Sequence, residues 1–79
     1  MEEREEIYNK IVERLTAMVG EKDYTEATEY AELNLKSGNY SQMINVLEDE
    51  FDVEIPYMEF KRSRTIGDSV NFIVSLIDG

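Results

Sequence analysis

A chain of 79 residues has room for one domain, taken here as residues 1–79, and its 18 Asp and Glu against 8 Lys and Arg give a formal net charge of −10. It contains no His and no Cys, which excludes disulfides, cysteine-based zinc sites, thiol nucleophiles and imidazole bases. We therefore expect neither a metal site nor an enzyme that acts alone. Apolar residues make up 42% of the chain, a content typical of a folded domain rather than a disordered acidic tail.

Charge and hydropathy also bear on partners and location. The chain begins MEEREE, unlike the basic start of a signal peptide, and no apolar run approaches the roughly 20 residues of a membrane span. The net charge disfavours nucleic acid, whose phosphates repel it, and favours partners with basic surfaces. We expect a cytoplasmic monomer that binds neither nucleic acid nor membrane.

The first helical period lies near the N-terminus. Apolar residues recur there at steps of four, four and three: Ile7, Ile11, Leu15 and Met18. This spacing forms one stripe of an amphipathic helix. Acidic residues at its start suit the helix dipole, and Gly20 is the predicted end of the helix.

Two further segments have the same period. The second helix is marked by Tyr40, Ile44, Leu47 and Phe51. The last runs over residues 65–77, with an apolar face of Ile66, Val70, Ile73, Val74 and Ile77. Thr65 followed by Asp68 resembles a capping box at its start. Both segments are predicted to be amphipathic helices.

The connections complete the predicted fold. Residues 21–36 form a long loop, with a helical turn expected near residues 26–32. Ile55 before Pro56 predicts an extended break, after which a short helix can form over residues 57–61. The expected fold is all-α: a small four-helix bundle with three main helices, one short helix and a long loop after the first.

Two local motifs predict no chemistry. Residues 52–56 (DVEIP) start like a calcium loop but lack its glycine and place Pro at a ligand position. Residues 39–41 (NYS) match a glycosylation sequon, which has no use in a chain without a secretory signal. The abundant carboxylate pairs are interpreted as solvated helix faces.

Ser37 lies where the long loop meets the second helix. One interpretation makes it the N-cap, with its hydroxyl accepting a hydrogen bond from the first turn. The other makes Asn39 the cap, with Gln42 completing a capping box, and leaves the Ser37 hydroxyl free. A phosphate ester on Ser37 would then face the positive end of the helix dipole. The position suits a phosphorylated or phosphodiester-linked serine.

Three segments share a fixed spacing: residues 32–37 (ELNLKS), 46–56 (VLEDEFDVEIP) and 65–70 (TIGDSV). Over residues 32–77 the chain resembles the acyl carrier proteins, a family of phosphopantetheine-dependent carriers. The first segment resembles the family's pattern of an acidic residue, Leu, Gly, any residue, Asp and the modified Ser. The second resembles its EEFDxEIP segment, and the third resembles the start of its last helix. The run FDxEIP at this distance from Ser37 is the most specific element.

The resemblance implies a four-helix bundle that carries 4′-phosphopantetheine covalently on Ser37. In the family a phosphopantetheinyl transferase attaches this arm from coenzyme A, and its thiol holds an acyl group as a thioester. Partner enzymes of acyl transfer dock through basic patches, for which matching positions suggest Glu48 and Asp49. The implied acyl pocket, which can equally be plain core, comprises Ile44, Leu47, Phe51, Ile66, Val70 and Ile73.

The chain departs from the family pattern around the serine. Lys36 replaces the usual Asp, Asn34 replaces Gly, and Gly38 replaces the large apolar residue that partners commonly grip. We therefore count Lys36 and Gly38 among the candidate docking residues. The changes suggest a specialised carrier for polyketide, lipid or aminoacyl transfer rather than for housekeeping fatty-acid synthesis.

Two other functions stay open at this point. The same departures fit a non-catalytic interaction module that keeps the carrier fold without the arm. A third, weaker interpretation is a small acidic helical inhibitor or nucleic-acid mimic, in which the spacing of the resemblance would be coincidence.

Overall fold

The structure, a computed structural model, describes residues 2–79. Its helices are α1 (Glu3–Val19), a 3₁₀-helix (Tyr30–Leu33), α2 (Ser37–Phe51), α3 (Tyr57–Lys61) and α4 (Ile66–Asp78). Within residues 2–79 the only β pairing is a single antiparallel bridge between Glu29 and Thr65. The fold is the predicted all-α bundle of three main helices and one short one.

The predicted apolar stripes form the core. On α1, Ile7, Ile11 and Leu15 are buried, and the helix ends at Gly20, whose φ of 97° few side chains tolerate. α1 packs against α2 and α4, and α2 packs against α3. Most of the remaining core comes from aromatic and aliphatic residues of the other elements: Tyr30, Leu33, Tyr40, Met43, Ile44, Leu47, Ile55, Phe60, Ile66, Val70 and Ile73.

α4 begins at the predicted capping box. The Asp68 backbone N–H donates to the Thr65 hydroxyl at 3.1 Å, and Asp68 Oδ2 accepts from the Thr65 backbone N–H at 3.3 Å. This reciprocal pair satisfies donors that the first turn of a helix cannot satisfy internally.

The loop after α1 is fixed to the start of α4. The Gly67 N–H donates to the Glu26 carbonyl at 2.8 Å. The Ile66 N–H donates to the Thr28 carbonyl at 3.0 Å. An added Cβ at Gly67 would lie 3.0 Å from the Glu26 carbonyl oxygen, so a larger residue here would require the loop to shift by a few tenths of an ångström. The helical turn expected near residues 26–32 is present, slightly later, as the 3₁₀-helix.

No helix within residues 2–79 combines the length and apolar character needed to cross a bilayer.

Candidate functional site

The start of α2 presents Ser37 to solvent. Ser37 is the first residue of the helix, and Lys36 is its N-cap. The first interpretation, that the Ser37 hydroxyl caps the helix, is wrong, and so is the alternative that Asn39 is the cap residue. Asn39 instead acts from the third helical position: its Oδ1 accepts from the Lys36 backbone N–H at 2.9 Å. Ser37 is exposed, as the second interpretation expected.

The Asn39 side chain contacts both the preceding backbone of Lys36 and Met18 on α1, and so takes the capping role. Its backbone N–H donates to the Lys36 carbonyl at 2.9 Å, and its Nδ2 lies 3.5 Å from Met18 Sδ on α1. The amide thus ties the start of α2 to the end of α1. The serine is left out of the backbone hydrogen bonding that usually engages a hydroxyl at a helix start.

Asn34 forms a left-handed turn three residues before Ser37. It adopts a left-handed conformation, with φ of 54° and ψ of 43°, at the end of the 3₁₀-helix. Glycine favours this region and Asn tolerates it better than most residues. The replacement of the family's glycine by Asn34 is therefore compatible with the backbone that leads into Ser37.

The charges of α2 oppose its dipole. The first turn contains no acid, Lys36 occupies the N-cap position, and the acids Glu48, Asp49 and Glu50 lie at the other end. Since a helix N-terminus carries partial positive charge, the end with Ser37 is electropositive. An anion there would be stabilised by about 0.3–1 kcal/mol.

The surface around Ser37 is open. Lys36, Ser37 and Gly38 are all exposed, and an added Cβ at Gly38 would meet no heavy atom within 4 Å. Nothing in residues 2–79 therefore obstructs approach to the hydroxyl from the Gly38 side. The free hydroxyl, the unpaired N–H groups of a helix start and a first turn without acid fit a phosphodiester on Ser37.

The two acidic docking candidates differ in their surroundings. Asp49 is exposed. Glu48 is half-buried, and its Oε2 accepts a 2.8 Å hydrogen bond from the Ile55 backbone N–H. Glu48 thus holds the extended segment that follows α2, near Asp52 with its left-handed φ of 51°. Only Asp49 of the pair is fully available to a partner.

The six residues of the implied acyl pocket are mostly core. Leu47, Ile66, Val70 and Ile73 have no exposed surface, and Ile44 is 5% exposed. Phe51 is half-buried and lines a surface cavity of about 300 Å³ between α1 and the end of α2. The other five line neither this cavity nor the second one described next. The pocket therefore stays a prediction, and its residues pack against one another.

A second cavity of about 300 Å³ was not anticipated from the sequence. It lies at the same end of α2 as Ser37 and is lined by Glu29, Tyr30, Ala31, Tyr40, Lys61, Arg62, Ser63 and Arg64. We call it the basic groove. Its residues come from three separate segments, which is why no local motif revealed it. The only available signal was the run KRSR, which places three of the eight basic residues of the chain within residues 61–64.

Two buried tyrosines, Tyr30 and Tyr40, line the basic groove. Tyr30 and Tyr40 are 3% and 9% exposed, with ring centroids 5.9 Å apart in an edge-to-face arrangement. The Tyr30 hydroxyl donates to Ser69 Oγ at 2.8 Å, and burial raises the Tyr30 pKa above its usual value. Tyr30 therefore stays protonated and acts as a structural donor.

No model of a protein family matches this chain. Residues 2–79 contain no group of three or more Asp and Glu side chains placed to hold a metal ion.

Proposed function

We propose that this chain is a discrete acyl carrier protein, modified on Ser37 with 4′-phosphopantetheine. The single observation that supports this most is an exposed serine at the first position of a 15-residue helix whose first turn contains no acid. The carrier-like spacing of residues 32–56 adds to it. When bound, this group supplies the thiol on which an acyl chain is held as a thioester.

In this proposal the residues around Ser37 each contribute differently to its modification. The positive end of α2 lowers the energy of the phosphodiester anion. Asn39 binds the backbone in place of the serine, which leaves the Ser37 hydroxyl free to be modified by the transferase. Gly38 leaves space for the transferase, and Lys36 contributes positive charge. In this proposal the partner enzymes make and break the acyl bond.

Partner enzymes would dock at the acidic end of α2. Long-range attraction between this end and a basic patch raises the rate of encounter more than the final affinity. Asp49, which is exposed, is the better docking candidate, because Glu48 already accepts a backbone hydrogen bond. The nature of the acyl cargo is left to the partner enzymes.

Intact mass spectrometry tests this function. The protein is incubated with coenzyme A and a broad-specificity phosphopantetheinyl transferase. We expect wild type to gain one phosphopantetheinyl group and Ser37→Ala to gain none. Ser41→Ala is the matched control, since Ser41 is also exposed on α2, one turn later, and should be modified like wild type. Lack of any gain with several different transferases would contradict the proposal.

A second candidate is an interaction module that keeps the fold without the arm. The observation that favours it is the closed packing of the implied acyl pocket, in which four of six residues have no exposed surface. This module would bind a basic partner with the same affinity in wild type and in Ser37→Ala. Carrier function instead requires that the loss of the Ser37 hydroxyl abolish acyl transfer.

A further inference from the structure

We infer that the basic groove binds a phosphate group. Lys61, Arg62 and Arg64 line it, against one carboxylate, Glu29. In a chain with net charge −10, this concentrates positive charge in one concave surface. The inference does not depend on modification of Ser37, since the groove could equally bind a separate small phosphorylated molecule.

The three cations are free to bind an anion. Within residues 2–79 the salt bridges involve only Arg4 and Lys10 among the basic residues. Lys61, Arg62 and Arg64 are exposed, and none of them takes part in these salt bridges. Three unpaired cations on one short segment repel one another, and a bound anion relieves that repulsion.

The backbone that carries the cations is well fixed. The Arg64 N–H donates to Asp68 Oδ2 at 3.1 Å, and the Arg64 carbonyl accepts from the Tyr30 N–H at 3.0 Å. The Ser63 N–H donates to the Phe60 carbonyl at 3.0 Å. The side chains therefore extend from an ordered turn, which lowers the entropy lost when they bind a ligand.

Lys61 is held by aromatic rings. Its Nζ lies 5.9 Å from the ring centroids of both Tyr40 and Tyr57, a distance at which the ring faces attract a cation. Tyr40 itself is on α2, one turn after Ser37. Lys61 thus connects the groove to the end of α2 where Ser37 is exposed.

The donors in the groove suit phosphate better than other anions. Two guanidinium groups, an ammonium and the Ser63 hydroxyl present many donors, and phosphate offers more acceptor oxygens than a carboxylate. A cavity of about 300 Å³ lies at the lower end of the size range of small-ligand sites. Tyr30 and Tyr40 are only 3% and 9% exposed, and Lys61 Nζ lies over the Tyr40 ring, so little aromatic surface is left for a nucleic-acid base to stack on.

Two sources of the phosphate are compatible with this position. One is a separate phosphorylated small molecule. The other is the phosphodiester of a group attached to Ser37 in the same chain. Both use the same donors, so an experiment must distinguish them.

The test is titration of the unmodified protein with inorganic pyrophosphate at constant ionic strength, followed by two-dimensional NMR of the backbone amides. We expect the largest shifts at residues 29–31 and 61–64. Arg64→Gln and, separately, Arg62→Gln should weaken binding about tenfold. Lys22→Gln, which removes one exposed cation elsewhere, should change it less than twofold. Glu29→Gln should strengthen binding, because it removes the one carboxylate that lines the groove.

A second arm separates the two sources. If the ligand is a separate molecule, pyrophosphate binds wild type, Ser37→Ala and protein loaded on Ser37 equally. If the source is the group on Ser37, loading alone shifts the amides of residues 61–64 and weakens pyrophosphate binding. Scattered shifts over the whole chain, or an equal effect of Arg64→Gln and Lys22→Gln, would overturn the inference, and neither outcome depends on whether Ser37 can be modified.

Discussion

The Tyr30 hydroxyl donates a 2.8 Å hydrogen bond to Ser69 Oγ, and both residues are buried. This bond ties the 3₁₀-helix before Ser37 to α4. Because a buried polar group without a partner costs more than the bond itself stabilises, the two side chains should be strongly coupled.

A double-mutant cycle tests this coupling. We expect Tyr30→Phe and Ser69→Ala each to lower the free energy of unfolding by about 1–3 kcal/mol. The double variant should lose less than the sum, since it leaves neither group unpartnered. Urea denaturation monitored by circular dichroism measures all four proteins. If the two losses simply add, the coupling free energy is zero and the hydrogen bond makes no measurable contribution to stability.

The same tyrosine predicts an alkaline effect. Burial raises the Tyr30 pKa, so above about pH 10 the unfolded chain loses this proton while the folded chain keeps it. The unfolded state then binds fewer protons, and the free energy of unfolding falls as pH rises. In Tyr30→Phe the fall between pH 9 and pH 11 should be shallower, though not absent, because burial also raises the pKa of Tyr40. Equal slopes would show that Tyr30 ionises alike in both states.

Two glycines at the second position of their helices offer a matched comparison. Gly67 in α4 lies against the Glu26 carbonyl, whereas Gly38 in α2 faces open space. Gly67→Ala should lower the free energy of unfolding by about 1–3 kcal/mol, since the loop must move away. Gly38→Ala should be neutral or stabilising by up to about 1 kcal/mol, since Ala is the better helix former. Chemical denaturation checks both. Tolerance of Gly67→Ala would mean that the loop is not tightly held.

The acidic end of α2 predicts a salt-dependent association. Asp49→Lys should slow binding to a broad-specificity phosphopantetheinyl transferase several-fold at low salt and much less at high salt. Glu48→Gln removes charge but keeps an oxygen for the Ile55 N–H, so it should slow association without unfolding the turn. Glu5→Gln, an exposed acid on α1, is the control. Stopped-flow kinetics measure the rates. Rates that do not respond at any salt concentration would place docking elsewhere.

The helices could be predicted from the sequence because each depends on local signals. The spacing of Ile7, Ile11 and Leu15, and the Thr65–Asp68 box, determine face and start without reference to the rest of the chain. The bounds of α3 at residues 57–61 follow in the same way from the break at Pro56.

What the sequence did not predict depends on contacts between distant segments. The predictions of the cap at the start of α2 are wrong because Asn39, which also contacts Met18 on α1, accepts from the Lys36 N–H from inside the helix. The close approach of Gly67 to Glu26 joins residues more than 40 positions apart. The basic groove likewise forms only when three separate segments meet. None of these has a local periodicity.

Modification of Ser37 is tested most directly by locating the added group. After treatment with coenzyme A and a phosphopantetheinyl transferase, the protein is digested and the peptides are fragmented by tandem mass spectrometry. We predict one phosphopantetheinyl group, on Ser37 and on no other serine, with none in Ser37→Ala. An unmodified Ser37 after treatment with several transferases, or a group attached to Ser41 instead, would contradict the assignment of this chain as a carrier through Ser37.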